Sequence, residues 1–324
     1  MSKTACITGI TGQTGSHLCE LLLEEGYKVY GLKRHISSFN TDRINHIFDN
    51  PNLKLVYGDL SDANSINSFV GDIKPDLFFN LGAMSFVKAS FTIPGYTIDI
   101  NTNGVLRCLE AIKNISPKTK FLQASSSEQF GLTLPGPNGQ DESSPMIPAS
   151  PYGVSKLGAF HLVKHYREAY KNLFTCNSIS FNHEGPRRAP VFITKKVIAR
   201  AVEISLGLAN ELRVGDTNPR RSWTHAKDIC KGMYKIINHD VPDDFVLGIE
   251  ESHSVQELIE MVFGKLNLDW KKYVIIDEKY MRPVDVMDLR PNCSKAKNKL
   301  GWAPEITFNQ MVDEMIEFEL KLRK

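Results

Sequence analysis

A chain of 324 residues with 42% hydrophobic side chains is long enough for a cofactor domain plus a smaller substrate domain. Its 39 basic and 37 acidic residues leave a net charge of +2, which excludes the broad basic field of a nucleic-acid binder. No apolar run approaches the roughly 20 residues of a membrane span, and the start, MSKTACITGI, lacks the pattern of a secretory leader. No membrane partner is therefore expected, and a cytoplasmic location is. The six cysteines form no CxxC pair, so no metal site is expected and they read as core residues.

Short apolar runs alternate with helical patterns through the first half. Strands are predicted at Ala5–Thr8, Lys28–Leu32, Lys54–Tyr57, Leu77–Asn80, Lys120–Gln123 and Cys176–Ser180. Helices are predicted between them at Ser16–Glu25, Ala63–Phe69, Asn101–Ile112 and Tyr152–Tyr170. This alternation predicts an α/β fold, a Rossmann-type doubly wound parallel sheet. After Phe181 the alternation breaks at the Pro- and Arg-rich stretch NHEGPRRAPVF. Helices follow at Thr194–Leu206, Trp223–Ile237, Ser254–Leu266 and Phe308–Lys321. The expected organisation is a Rossmann domain of residues 1–181 plus about 223–250. A smaller, discontinuous α/β substrate domain takes about 182–222 plus 251–324.

The first strand runs into ITGITGQTGSHL, with Gly9, Gly12 and Gly15 in GxxGxxG spacing. Gly9 permits a tight turn, Gly12 lets backbone approach a pyrophosphate, and Gly15 lets helix and strand pack closely. A glycine-rich turn without a ligand would look the same in isolation; strand, turn and helix together point to a dinucleotide. The second strand ends in GLKRHISS. Lys33, Arg34 and His35 stand where an NAD site has a carboxylate, so NADP is expected over NAD. Asp59 and Leu60 end the third strand near the adenine, and Leu81 and Ala83 follow the fourth near the pyrophosphate and ribose.

Two features carry chemistry. PYGVSK gives Tyr152 and Lys156, one helical turn apart on one face. The lysine ammonium is expected to favour the tyrosinate and pull its pKa down. The fifth strand runs into ASSSEQFG, presenting Ser126 and then Glu128 at the end of the sheet where ligands sit. Hydride transfer needs no such carboxylate. Elimination does: a C4 ketone acidifies H5, a base takes it, and the departing C6 oxygen needs a proton.

The segments GITGQTGSHL, KRHISSFNTDRI, ASSSEQFG, SPYGVSK, FNHEGPRR, VFITKK, RRSWTHAKD and RPVDV together make the chain resemble the extended short-chain dehydrogenase/reductase superfamily. Within it, the resemblance is to the GDP-mannose 4,6-dehydratase family, over nearly the whole length. It implies a catalytic set of Ser126, Glu128, Tyr152 and Lys156, with Ser126 in the place of a family Thr. The implied cofactor set is Gly9, Thr11, Gly12, Gln13, Thr14, Gly15, Arg34, Asp59, Leu60, Leu81, Ala83, Tyr152, Lys156, His183 and Arg188. For a GDP-linked sugar it implies Ser85, Glu128, Asn182, Val191, Lys195, Gly215, Arg221, Arg282 and Asp285. It further implies a tightly held NADP that is recycled. The loop Arg34–Arg43 resembles a segment that reaches a neighbouring subunit, so a homotetramer is expected, with a dimer as the fallback.

The implied reaction is oxidation at C4, loss of water across C5–C6 and return of the same hydride to C6. A C4 epimerase or C4 dehydrogenase would need Tyr152 and Lys156 but not Glu128. A cofactor-sensing protein without chemistry would need neither pair nor arginines. Departures from the family pattern fall near the sugar: Met84 and Phe86 replace polar residues, and Gly185 stands for a Ser. Ser126 and Gly185 are both smaller than their family counterparts. The enlarged site they suggest would admit GDP-D-glycero-D-manno-heptose as well as GDP-mannose.

Overall fold

The computed structural model describes residues 3–323. Seven parallel strands form one sheet: β1 (Thr4–Thr8), β2 (Lys28–Lys33), β3 (Leu53–Tyr57), β4 (Leu77–Asn80), β5 (Lys120–Ser126), β6 (Thr175–Ser180) and β7 (Phe245–Leu247). Their order is β7-β6-β5-β4-β1-β2-β3. The central strands β4 and β6 are buried along their whole length, which is why they read as unbroken runs. The order reverses between β1 and β4, and the crevice at that point is where such sheets take ligands.

β5 continues to Ser126, three residues beyond the apolar pattern that ends at Gln123. Polar side chains within the sheet are tolerated because they pair across it. Thr8 Oγ1 donates to Asn80 Oδ1 at 2.5 Å, and Asn80 Nδ2 donates to Gln123 Oε1 at 2.7 Å. The three-residue β7 was not predicted as a strand; it is too short to show a period and forms only by pairing with β6.

The helices that concern the site are α1 (Gln13–Glu24), α2 (Ala63–Ile73), α3 (Gly104–Ile115), α4 (Pro151–Ala169), α5 (Ile193–Ser205), α6 (Ala226–Ile237), α7 (Val255–Lys265) and α8 (Phe308–Arg323). The helix expected from Trp223 starts at Ala226 instead. Thr224 and His225 pair with His183 and Glu184, and the His225 ring accepts from Lys227 N–H as the helix cap. The helix expected from Asn101 begins as a wider π-helical turn over Asp99–Asn103.

Three apolar cores result among the described residues. One lies against the sheet under α1 and α6, and includes Val286, Leu289, Cys293 and Trp302 from late in the chain. The second gathers α5, α7 and α8 around Trp223, whose ring stacks on Phe308 at 5.6 Å. The third packs α2, α3 and α4 against the sheet around Phe78 and Phe121. A capping box, Ser254 with Glu257, sets the start of α7. The cleft runs between the first two cores.

Candidate active site

The turn after β1 meets the end of β4 at the switch point. Gly9 has φ +68°, and a Cβ there would lie 2.8 Å from Gly82 N. A Cβ on Gly15 would press on Gly9 O and lie 2.7 Å from Ile10 Cα. Neither site admits a side chain, which brings the N-terminus of α1 onto the sheet. No side chain caps that helix, so its first N–H groups are free to meet an anion. Gln13 Nε2 donates to the His183 carbonyl at 2.9 Å, while its buried Oε1 has no partner. Thr14 Oγ1 donates to His183 Nε2 at 2.9 Å, and His183 Nδ1–H donates to Phe181 O at 2.8 Å. Burial, then the Arg188 charge, pushes the His183 pKa down to about 4, so the ring is neutral and ties the glycine turn to the loop after β6. A cradle without Cβ atoms and free N–H groups fit the pyrophosphate half of a dinucleotide, while the unpaired Gln13 acceptor suits a hydroxyl such as that of a ribose.

The catalytic set sits deeper. Ser150 caps α4 by accepting from Gly153 N–H, with Pro151 at the first helical position. A Cβ on Gly153 would lie 2.7 Å from Glu128 O, so this glycine lets α4 close onto the end of β5. Tyr152, Lys156, Ser126 and Glu128 thereby line one wall and are all buried. Ser126 Oγ accepts from Glu128 N–H at 3.2 Å. Lys156 Nζ donates to Ala124 O at 2.8 Å and lies 5.8 Å from the Tyr152 ring centroid.

The expectation that Lys156 draws the tyrosine pKa down is corrected here. Burial pushes the Tyr152 phenol up to about 12, against a lowering hydrogen bond from Ser126. Burial likewise pushes Lys156 down to about 8. Burial is the largest influence on each, and neither group figures among the influences on the other.

At the far end, Arg221 is fixed. It donates to Val286 O at 2.7 Å and Arg220 O at 2.8 Å, and its Nη2 meets Asp285 Oδ1 at 3.1 Å. Arg282 reaches Asp285 Oδ1 at 3.2 Å and stands 4.0 Å from Glu128 Oε1. Gly215 is required: a Cβ there would lie 2.8 Å from Tyr280 O. Arg188 lies 3.4 Å over the Phe192 ring and pairs with the buried Glu184 at 2.8 Å.

Of the sequence-predicted residues, the cleft also gathers Gly12, Leu81, Ala83, Ser85, Asn182 and Val191. Others lie outside its lining. Lys195 turns to α8, ion-paired with Glu319 and donating to Pro186 O at 2.8 Å. Its neighbour Lys196 lines the cleft, with Nζ 3.5 Å from the Tyr280 ring centroid. Thr11 presents its carbonyl to Arg43 at 3.4 Å, and Asp59 binds Ser61 at 2.8 Å. Leu60 is packed beneath Gly82 and Gly104. Arg34 donates to Tyr96 Oη at 3.1 Å and borders a second hollow with Lys33 and Phe39.

The enlarged-site argument loses one of its two positions. Gly185 has φ +151°, and a Cβ there would meet His225 Nε2 at 3.2 Å, outside the cleft lining. Phe86 lines the cleft, edge-on to Phe192 at 6.2 Å; Met84 does not.

Asn101 was not singled out from the sequence. Its Oδ1 accepts from Met84 N–H at 2.8 Å, and its Nδ2 donates to Met84 O and Ser155 Oγ, both at 3.0 Å. It fastens the loop carrying Ser85 to the helix carrying Lys156. Its signal was hidden because an Asn in a helical pattern has no period of its own.

A glycine-rich switch-point turn, a Tyr–Lys pair one helical turn apart and a second small domain over the cleft define an extended short-chain dehydrogenase/reductase. Over the whole chain the fold matches a solved dTDP-glucose 4,6-dehydratase of Bacillus anthracis in complex with NAD, with TM-score 0.86, 24% identity, and coverage of 99% of this chain and 97% of that one. The family model described as GDP-mannose 4,6 dehydratase matches residues 6–315. GDP-mannose 4,6 dehydratase 1 of Arabidopsis thaliana is 45% identical over 99% of this chain and 91% of its own length. The Vibrio cholerae GDP-mannose 4,6-dehydratase is 41% identical over 99% and 95%. The chain belongs to the GDP-mannose 4,6-dehydratase family.

Proposed function

We propose that this dehydratase, a hydro-lyase, acts on a GDP-linked mannose-type sugar with NADP as its recycled cofactor, through Tyr152, Lys156, Ser126 and Glu128. The observation that carries it is the buried Glu128 carboxylate beside the Ser126 and Tyr152 hydroxyls. An epimerase or a simple C4 dehydrogenase has no use for that carboxylate.

When bound, the dinucleotide supplies the hydride acceptor for C4 and the hydride donor for C6. Tyr152, as phenolate, takes the 4-OH proton, with Ser126 holding the same hydroxyl. Glu128 takes the proton from C5 and gives it to the C6 oxygen as the C–O bond breaks and water leaves. C5 then regains a proton, which restores the count opened by Tyr152. The reaction is redox-neutral overall. Lys156 holds the cofactor ribose, and the phenolate forms against the burial that raises the Tyr152 pKa, helped by Ser126. Arg221 and Arg282 suit the diphosphate, while Gly215, Lys196 and Tyr280 line the region assigned to the base.

Lys33, Arg34 and His35 at the end of β2, with no carboxylate among them, support NADP over NAD. Fluorescence titration with NADPH and NADH tests this; tighter NADH binding overturns it. The exposed loop around Phe39 supports association into a homotetramer. Light scattering that finds a monomer at micromolar concentration counts against it.

Mass spectrometry of protein incubated with GDP-mannose should show loss of one water without consumption of added cofactor. A product of unchanged mass would instead mark an epimerase. A second reading, GDP-D-glycero-D-manno-heptose, is favoured by Ser126 alone, which lines the cleft and lacks a methyl. Comparing kcat/KM for the two sugars decides it, and a tenfold or greater preference for GDP-mannose removes the heptose.

A further inference from the structure

Four charged side chains form a chain across the cleft. Glu128 faces Arg282 at 4.0 Å, Arg282 meets Asp285 at 3.2 Å, and Asp285 meets Arg221 at 3.1 Å. Two carboxylates and two guanidiniums make a neutral group. A diphosphate entering between them brings two negative charges, and one arginine must turn to it.

The two arginines are not equally free to turn. Arg221 is buried and spends its donors on two carbonyls as well as Asp285. Freeing it would orphan those carbonyls in a dry site. Arg282 is on the loop after Tyr280, with its side chain 29% exposed, and its one hydrogen bond goes to Asp285. It can leave Glu128 at little cost.

We propose that Arg282 is a positioning residue that couples the nucleotide to the chemistry: without substrate it lies beside Glu128, and a diphosphate in the cleft draws it away, leaving the carboxylate free to accept the C5 proton. This rests on the diphosphate and acid–base assignments above. The groups facing Glu128 are Arg282 from the loop after Tyr280, the buried Arg221, and the Tyr152 phenol on α4. Once Arg282 turns to phosphate, the phenol and the occupied Arg221 remain. The elimination base would then be released only for sugars that carry the diphosphate handle. Free sugars or 1-phosphates would be oxidised poorly and dehydrated less.

The test needs no turnover. Binding of GDP is measured by calorimetry. Glu128→Gln, which removes the carboxylate that competes with the diphosphate for Arg282, is expected to tighten GDP binding several-fold. Arg282→Gln should weaken GDP binding by roughly tenfold to a hundredfold, and in that background Glu128→Gln should bring no further gain. Arg221→Lys should weaken binding yet keep the gain from Glu128→Gln. GDP affinity unchanged in Glu128→Gln, or the same gain with and without Arg282, overturns the coupling and leaves the dehydratase assignment standing. Failure of GDP to bind the wild-type protein overturns both, and loss of water from GDP-mannose in the same preparation shows which of the two assignments was at fault.

Discussion

At the cofactor end of the cleft every functional side chain hangs from a long element. Tyr152 and Lys156 sit on a 19-residue helix, Ser126 ends a seven-residue strand, and Gly9 to Gly15 join a buried strand to a helix. At the nucleotide end the supports are strands of two or three residues and the loops between them. Gly215 follows Leu212–Val214, Arg221 closes Arg220–Arg221, and Arg282 and Asp285 precede Asp288–Leu289. Positions fixed by the sheet are set for bond making, where a misplacement of an ångström is costly. Positions fixed by loops can follow a ligand. The cofactor end is built to stay, and the nucleotide end is built to adjust.

The largest effects should therefore come from the rigid end. Tyr152→Phe should lower kcat by about 10²–10⁴-fold with little change in KM, in steady-state assays with GDP-mannose. Glu128→Gln should lower water loss by a similar factor while C4 oxidation persists, seen as reduced cofactor that forms in a single turnover and stays. Full activity in Glu128→Gln would remove the carboxylate from the mechanism.

The two adjacent lysines sharpen the comparison. Lys196→Ala should raise KM for the GDP-sugar several-fold and leave the melting temperature alone. Lys195→Ala should do the reverse. It leaves the buried Glu319 with Arg323 as its remaining partner, a loss of about 2 kcal/mol, read by thermal melting. If both variants moved KM equally, the nucleotide end would extend into the second core.

These lysines also mark where the sequence stops being informative. Tyr152, Lys156, Ser126 and Glu128 could be read because period and spacing place them: a helix turn for the first pair, a strand end for the second. Gly9, Gly12 and Gly15 could be read because a side chain at those points is sterically excluded. Lys195 and Lys196 stand on a helix start where a shift of one residue rotates the side chain by about 100°, and no motif fixes the phase. The resemblance pointed to Lys195, whereas Lys196 is the one that lines the cleft. Asn101, β7 and the contacts of Arg282 depend on tertiary partners far away in the chain. The cost of burial was illegible for the same cause, since YxxxK shows the pair but not how dry it is.

That dryness gives a stability effect of intermediate size. Lys156 is held at about 8 against an ordinary value of 10.5. Between those values the unfolded chain binds a proton that the folded one does not, so stability rises with pH across that window. Below it the buried ammonium costs about 3 kcal/mol. Lys156→Met removes the cost but leaves Ala124 O without its donor, a loss of about 1–3 kcal/mol. The variant should be inactive yet as stable as the wild type, or about 1 kcal/mol more so, near neutral pH. Its advantage should vanish towards about pH 10, measured by urea unfolding at both pH values. An advantage that grows with pH would contradict the sign.

The smallest effect asks whether the rigid end tunes substrate choice as well. Ser126 pairs across the sheet with Ser180, and its hydroxyl accepts from Glu128 N–H and works against the rise in the Tyr152 pKa. Ser126→Thr keeps that hydroxyl and adds one methyl on a strand, where a β-branched residue is at ease. Ser126 lines the cleft. GDP-mannose should then turn over within a few-fold of the wild-type rate. The ratio of kcat/KM for GDP-D-glycero-D-manno-heptose to that for GDP-mannose should fall by about tenfold at most, the range a single methyl commands in a pocket. Gly185→Ser is the matched control. Its added atoms face His225 and its backbone lies where L-residues are strained, so it should cost about 1 kcal/mol of stability and leave the ratio alone. A ratio that moves in Gly185→Ser but holds in Ser126→Thr would place substrate selection outside the sheet-borne wall.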